Sequence, residues 1–353
     1  MQDTAIKWPK ITIVTPSFNQ GHYIEKTILS VLDQNYPNLE YIIIDGGSTD
    51  NSVEIIKKYE TQLAYWVSEK DKGQSHAINK GLQRATGDIF NWLCSDDYLE
   101  EGSLEHIAEA FLKNKNIHCY AGGLRQFSLS GKTLWLYENM LMPDWEDTIR
   151  LRLVKQPAVY FSMKAIAQMG PLNESLHYSM DAEWLYKFFF LFKEENVLED
   201  NTIIAHYLLH NNSKSGSQVA GFIKESDSIY RFFSKNKGLT SYVTLLELNE
   251  LNKNYTFDEN ILAAVDKQLI ERIVFYYLLR KSTKIFSEQD FVFAKQFLSL
   301  KEPNINFKPD EIRMMNFLSR YVKNSSWLFF KLKRAYLWRI KKIHLSLDEF
   351  DRM

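Results

Sequence analysis

Short apolar runs alternate with amphipathic stretches over the first 95 residues. Lys10 to Thr15 reads as a strand. Tyr41 to Ile44 is wholly apolar, as a strand buried on both faces requires. Leu63 to Val67 and Ile89 to Cys94 read as a third and a fourth strand. Between them apolar residues recur at helical spacing: Ile24, Ile28 and Val31, then Val53 and Ile56 with Asp50 or Asn51 as the cap. Ser75 is placed to cap a third helix that runs to Arg84. Strands alternating with helices predict a mostly parallel α/β sheet flanked by helices.

After Glu101 the pattern is mixed. Ser103 precedes Leu104, Ile107, Ala108 and Phe111 at helical spacing. Leu124 to Trp135, broken at Ser130-Gly131, predicts a hairpin. Asp181 to Lys193 predicts a strongly apolar helix, and Ile203 to Leu209 a strand that ends in a polar loop, Asn211 to Gln218. That loop divides an α/β domain (1–218) from a mainly helical C-terminal region (219–353). A chain of 353 residues buries enough surface to need neither disulfides nor a structural metal.

Charge narrows the partners. The 43 Lys+Arg against 44 Asp+Glu leave a net charge of −1, which argues against nucleic acid. Cys94 and Cys119 alone exclude a disulfide framework and fit a reducing compartment. The first nine residues contain no apolar run, so no signal peptide is expected. Apolar clusters such as Phe188 to Phe192 fall far short of the roughly 20 residues of a spanning helix. These features predict a cytoplasmic chain, with the inner face of the membrane as a further surface.

Ligands of open parallel sheets bind at the carboxyl ends of strands. Three polar stretches fall there: Thr15-Pro16-Ser17-Phe18-Asn19, Asp45-Gly46-Gly47-Ser48-Thr49-Asp50 and Ser95-Asp96-Asp97. Two of the three are acidic, the pattern of a nucleotide site with a metal.

The run ITIVTPSFNQGHYIEKTILSVLDQNYPNLEYIIIDGGSTDNS resembles the opening of family-two glycosyltransferases, inverting enzymes of the GT-A fold. DKGQSHAINKGLQRATGDIFNWLCSDD continues the resemblance through the family's Asp-x-Gly, Ala-x-Asn-x-Gly and Ala-x-Gly-Asp spacing to its Asp-x-Asp-type element. KQPAVYF and MGPLNESLHYSMDAEWLYKF are similar to the acceptor half, and HYLLHNNSKS to the closing His-x-x-Ser-x-Ser loop. Five segments in order cover about residues 9–217. Two departures stand out: Gly46 replaces the second acid of Asp-Asp-Gly-Ser, and Cys94 takes the first acidic place of Asp-x-Asp-Asp.

The resemblance implies a role for each segment. Asp45 contacts the nucleobase, where an acceptor-only carboxylate suits a ring N–H. Pro16, Ser17 and Asn19 shape the facing wall. Asp71, Gly73 and Asn79 belong to a loop over base and ribose, in which Gly73 permits close backbone approach; Lys72 and Gln74 meet phosphate or base. Asp96 contacts the sugar nucleotide. Asp97 ligates Mn2+ or Mg2+, with His210 as a further ligand and His206 a weaker candidate. Adjacent residues of an extended chain point oppositely, so Asp96 and Asp97 can divide these tasks. Asp181 is the base that deprotonates the acceptor hydroxyl; Glu183 is its near rival. Tyr178 and Trp184 lie nearest the acceptor, and Lys214 and Ser213 order over the phosphates.

The implied reaction moves a sugar from a nucleotide sugar, of UDP type, to a hydroxyl of a glycan or lipid-linked acceptor in surface polysaccharide synthesis. Residues 320–353 hold nine basic residues against three acids, interleaved with aromatics such as Trp327, Phe329, Tyr336 and Trp338. That composition fits peripheral contact with anionic lipid as well as a packed helix with a solvated face. A homo-oligomer stays open. Two other readings remain. One is a catalytically inactive nucleotide-sugar-binding scaffold. The other is a nucleotidyltransferase, which would want a Gly-rich, cationic loop after the first strand, where Thr15 to Gly21 offers one glycine and no cation.

Overall fold

The computed structural model describes residues 7–138, 140–151, 154–211, 213–300 and 305–341. They form two compact units, Met1–Glu225 and Ser226–Met353.

The first unit is built on one nine-stranded sheet: β1 (Ile11–Ser17), β2 (Leu39–Asp45), β3 (Tyr65–Ser68), β4 (Ile89–Trp92), β5 (Tyr98–Leu99), β6 (Cys119–Ser128), β7 (Thr133–Tyr137), β8 (Val159–Ser162) and β9 (Val197–Leu209). The order is β3-β2-β1-β4-β8-β6-β9-β5, with β7 also on β6. β3, β2, β1 and β4 are parallel. Beyond β4 the sheet is mixed: β8 runs antiparallel to both β4 and β6, while β6 and β9 are parallel. Helices α1 (Ile24–Leu32), α2 (Ser52–Lys58), α3 (Gln74–Leu82), α4 (Ser103–Lys113), α5 (Trp145–Leu151), α6 (Met163–Met169), α7 (Met180–Leu191) and the short α8 (Lys214–Ser217) connect or cover the strands.

Every residue of β1 is buried, as in a strand covered on both faces, with Thr12, Thr15 and Ser17 buried among its apolar residues. Its register sets Ser17 opposite Asp45, and β2 sets Asp45 opposite Ser68, so the three strand ends form one rim. β7, by contrast, leaves Thr133 to Leu136 exposed. The core beneath the rim is aromatic: the Trp184 ring lies 5.2 Å from Trp92 and 5.1 Å from Phe161.

The second unit is helical: the rest of α9 (Val219–Asn236), then α10 (Thr240–Leu246), α11 (Glu259–Ala264), α12 (Lys267–Thr283), α13 (Glu288–Leu298), α14 (Pro309–Tyr321) and α15 (Trp327–Lys341). Inside it Asp227 is fully buried and accepts from Tyr277 Oη at 2.7 Å and from Lys281. On α15, Phe330 is buried against Phe291, whereas Leu328, Phe329 and Leu332 are exposed. The side chains of Tyr336, Trp338 and the rest of the basic stretch from 335 onward lie outside the described residues. Among the described residues no helix is long and apolar enough to cross a membrane.

Candidate functional site

The rim begins at Asp45, which is wholly buried. Its Oδ2 accepts from Gly47 N at 3.1 Å, Ser48 N at 2.8 Å and Ser68 Oγ at 2.7 Å; Oδ1 accepts from Ser48 Oγ at 2.5 Å. A carboxylate has about four lone-pair sites, so these four donors occupy Asp45 in ordering the loop that follows it and in tying it to the end of β3. Asn19 pins that loop to the end of β1: its Oδ1 accepts from Thr49 N at 2.9 Å and its N donates to Ser48 Oγ at 2.8 Å. Pro16 is buried within β1. Ser17 Oγ is buried with no hydrogen-bond partner, an orphaned donor at the rim.

The missing second acid has a spatial counterpart. A Cβ placed on Gly46 would lie 2.7 Å from Asp71 Oδ2. Asp71 therefore fills the space that a side chain at 46 would take. Its Oδ1 accepts from Gly73 N at 2.7 Å, and Gly73 adopts a φ of 114°, which favours glycine. Asn79 turns away: its Nδ2 donates to Leu172 O at 2.9 Å and its Oδ1 accepts from Leu172 N at 2.9 Å. Ser75 does the same, donating to Leu176 O at 2.8 Å instead of capping α3, where Gly73 is the capping residue. Both residues tie α3 to the loop 172–176, so the structure does not bring Asn79 to the rim.

Asp96 and Asp97 follow β4 and take different partners, with carboxylate oxygens of the two still within 4.8 Å. Asp96 Oδ2 lies 3.0 Å from His210 Nε2, while buried Asp97 accepts at Oδ1 from Leu208 N at 3.1 Å. The next residue, Tyr98, pairs with His206 and stacks on its ring at 4.4 Å between centroids. The acidic element is thus zipped to β9 at alternate residues, 206, 208 and 210. His206 gives its Nε2 contact to Glu100 at 2.6 Å and serves this zipper. Burial pushes the Asp97 carboxyl well above the usual carboxylate range, and the charge of Asp96 adds to it. Burial, then Asp97 and Asp96, push the Cys94 thiol well up too.

Sγ of Cys94 and carboxylate oxygens of Asp96 and Asp97 lie within 4.8 Å of one another. Carboxylates beside an imidazole suit a hard divalent cation, and a buried acid such as Asp97, which resists a bare negative charge, favours such an ion as well as a proton. The residues fit Mn2+ or Mg2+. Cys94, held as the thiol and accepting from Gln74 Nε2 at 3.1 Å, fits poorly as a ligand.

Asp181 sits in the first turn of α7, and its Oδ1 accepts from Ala182 N at 2.8 Å. Lys214 donates to Gln74 Oε1 at 3.0 Å and to His177 O at 2.9 Å. Burial lowers its pKa; Cys94, Glu225, Asp181 and Asp71 oppose that, so all four lie within electrostatic reach of the ammonium. Tyr178 stands at the edge of this group, its ring centroid 5.9 Å from Lys214 Nζ.

Two further expectations are corrected. Glu183 is wholly buried, 3.7 Å from Lys187 Nζ, and lies inside the unit. Trp184 is core: its indole N–H donates to Gly170 O at 3.0 Å and its ring packs between Trp92 and Phe161. One contributor escaped the sequence. Glu225, on α9, accepts from the amides of His177, Tyr178 and Ser179, and no motif surrounds it.

Residues 12–191 match the family model described as Glycosyl transferase family 2. An uncharacterized glycosyltransferase of Haemophilus influenzae is 38% identical over 109 residues, covering 30% of this chain and 44% of that protein. The hyaluronan synthase of Pasteurella multocida is 25% identical over 323 residues, covering 90% of this chain and 31% of the synthase. The chain therefore spans under half the length of either relative. Among solved structures, S. aureus TarS 1–349 in complex with UDP-GlcNAc superposes with a TM-score of 0.55 at 16% identity, over 82% of this chain and 78% of that one. The fold is the GT-A type: a parallel-dominant sheet flanked by helices.

Proposed function

This chain belongs to glycosyl transferase family 2, and from that premise we propose that it transfers a sugar, with inversion, from a UDP-sugar to a hydroxyl of a glycan or lipid-linked acceptor in polysaccharide synthesis. The observation that carries the reading is the gathering of Asp96, Asp97 and Cys94, with His210 on Asp96, while Lys214 lies within electrostatic reach of Cys94, Asp71 and Asp181. The hyaluronan synthase likeness supports a polysaccharide product, and the UDP-GlcNAc complex of TarS motivates a uridine donor.

In this reading the loop ordered by Asp45 forms the base wall with Pro16, Ser17 and Asn19. The orphaned Ser17 hydroxyl and the Asp71 carboxylate supply polar contacts to base or ribose. Asp96 meets the sugar nucleotide. Asp97 and His210 would hold Mn2+ or Mg2+, which supplies positive charge to the leaving diphosphate. Lys214 adds a second cation: its ammonium has three donors, and the one not given to Gln74 and His177 can meet the diphosphate. Asp181 takes the proton of the acceptor hydroxyl as that oxygen attacks the anomeric carbon from the face opposite the diphosphate. Tyr178 flanks the acceptor.

The test is Asp181→Asn. It should keep UDP affinity, titrated with manganese, and lose transfer by roughly 10²- to 10⁴-fold. Normal transfer by this variant would refute the base assignment. A native protein that binds nucleotide sugar and releases no UDP with any acceptor would instead be a scaffold.

A lipid-linked acceptor would bring the chain to the cytoplasmic face of a membrane. Leu328 (66% exposed), Phe329 (54%) and Leu332 (62%) on α15, beside Lys331 and Lys333, support such contact. Cosedimentation with vesicles of anionic lipid should fall on Leu328→Glu; unchanged binding would remove α15 from the interface.

A further inference from the structure

We propose that Glu225 is a positioning residue for the acceptor half of the reaction: its carboxylate holds the loop His177–Ser179 and, through that loop, the first turn of α7 on which Asp181 sits. The proposal rests on the reading of Asp181 as the base.

Glu225 is buried on α9. Its Oε1 accepts from His177 N at 2.7 Å; Oε2 accepts from Tyr178 N and Ser179 N, both at 2.8 Å. Three successive amides converge on one side chain, an arrangement that an acceptor-only group satisfies and a mixed donor and acceptor does not. Ser179 immediately precedes α7 and its own side chain makes no capping bond. The amide that enters the helix is bonded by Glu225 instead.

The same stretch of chain holds the other side of the loop. Lys214 Nζ donates to His177 O at 2.9 Å, and Tyr178 Oη donates to Gln218 Oε1 at 2.6 Å. Residues 214–225 therefore clamp the loop from both polarities: an ammonium on its carbonyl, a carboxylate on its amides. All of these ties lie next to Asp181 in sequence, and the Asp45 loop takes part in none of them.

A glutamine at 225 keeps the shape and removes the charge. It offers one oxygen, and its amide nitrogen must face a loop N–H. At least one buried amide then loses its acceptor, which that segment can relieve only by moving. A base displaced by about 1 Å loses roughly a hundredfold in rate, whereas donor binding needs no base.

The experiment uses the full chain and compares Glu225→Gln with the native protein at equal folded fraction. Transfer kcat should fall about 30-fold, with UDP affinity and donor KM within about twofold, because only orientation is disturbed. Hydrolysis of the donor by water should fall less than transfer does. Glu225→Asp, which keeps the charge on a shorter arm, should recover part of kcat. An unchanged kcat, or donor affinity that falls in step with kcat, would overturn the proposal.

Asp181→Asn, run in parallel, separates the two claims. Loss in Asp181→Asn with none in Glu225→Gln overturns the clamp and leaves the base standing. Loss in Glu225→Gln with normal transfer by Asp181→Asn refutes the base, and with it the positioning of Asp181 by Glu225. Hydrogen exchange on the unaltered protein reads the clamp even where the variant does not fold. Slow exchange at His177–Ser179 supports it, and exchange as fast as at the exposed turn 129–132 overturns it.

Discussion

The donor side of the rim and its acceptor side are held in different ways. At the ends of β1 and β2 the ties include close ones, Asp45 to Gly47 and Ser48 and Asp71 to Gly73, beside longer ones, Ser68 on Asp45 and Asn19 on Thr49, that span 23 and 30 residues. The acceptor loop 171–179 is held by residues from far along the chain: Ser75 on Leu176, Asn79 on Leu172, Lys214 and Glu225 on His177. A loop with its own close ties keeps more of its shape when a distant tie is lost. A remotely tied loop can be shifted by a change dozens of residues away. Variants on the donor side should therefore alter affinity for the sugar nucleotide, and variants on the acceptor side turnover.

The largest effect is expected where the two sides meet. Asp97→Asn keeps an oxygen for the Leu208 amide, so the zipper to β9 survives, but it removes the negative charge. Transfer should fall on the order of 10³-fold, the scale of losing one charge-stabilising group at a reacting centre. Activation by manganese, assayed over a concentration series, should weaken in the same variant. Native manganese dependence in Asp97→Asn would move the cation elsewhere and dissolve the meeting point.

How much of this was legible in the sequence follows the same division. β1, β2 and β4 read within two residues at either end, because burial on both faces leaves short, mostly apolar runs. The hairpin broken at Ser130-Gly131 was equally plain, since its turn is local. Ser75 read as a cap because a cap is a local event; its hydroxyl instead goes to a carbonyl 101 residues away. Trp184 and Glu183 were misplaced for another reason. Residues 183–189 of α7 are all buried, so no polar face remains to show which side meets a substrate. Glu225 carried no signal, for three backbone amides as partners leave no mark on residue types.

Trp184→Phe separates core from acceptor contact. The change keeps an aromatic ring among Trp92 and Phe161 but removes the donor to Gly170 O. Stability measured by chemical denaturation should fall by about 1–2 kcal/mol, for one buried hydrogen bond and a small void. The acceptor KM should stay as it was. A raised KM at unchanged stability would return Trp184 to the acceptor and undo the correction.

Gly46→Ala probes the donor side more gently. The new Cβ presses on Asp71 Oδ2, the far end of a side chain that can yield. Donor KM should rise roughly fivefold, equivalent to about 1 kcal/mol, with kcat nearly unchanged. A drop in kcat at constant donor KM would contradict the division of labour between the two sides.

The smallest effect tests the zipper by pH. Burial lowers the His206 imidazole below its ordinary 6.5, and the bond to Glu100 offsets only part of that. The unfolded chain then binds more protons than the folded one between the lowered pKa and 6.5. Stability from this residue is present above 6.5 and is lost as pH falls from there through the folded value. His206→Gln does not titrate, so its stability should fall less than the native protein's between pH 7.5 and the acid side of that window, by under about 1 kcal/mol. Denaturation curves at several pH values for both proteins give the difference directly. Parallel profiles would mean that His206 is solvated in solution, and that the long-range hold of β9 on the acidic element rests on Asp96–His210 and the Leu208 amide alone.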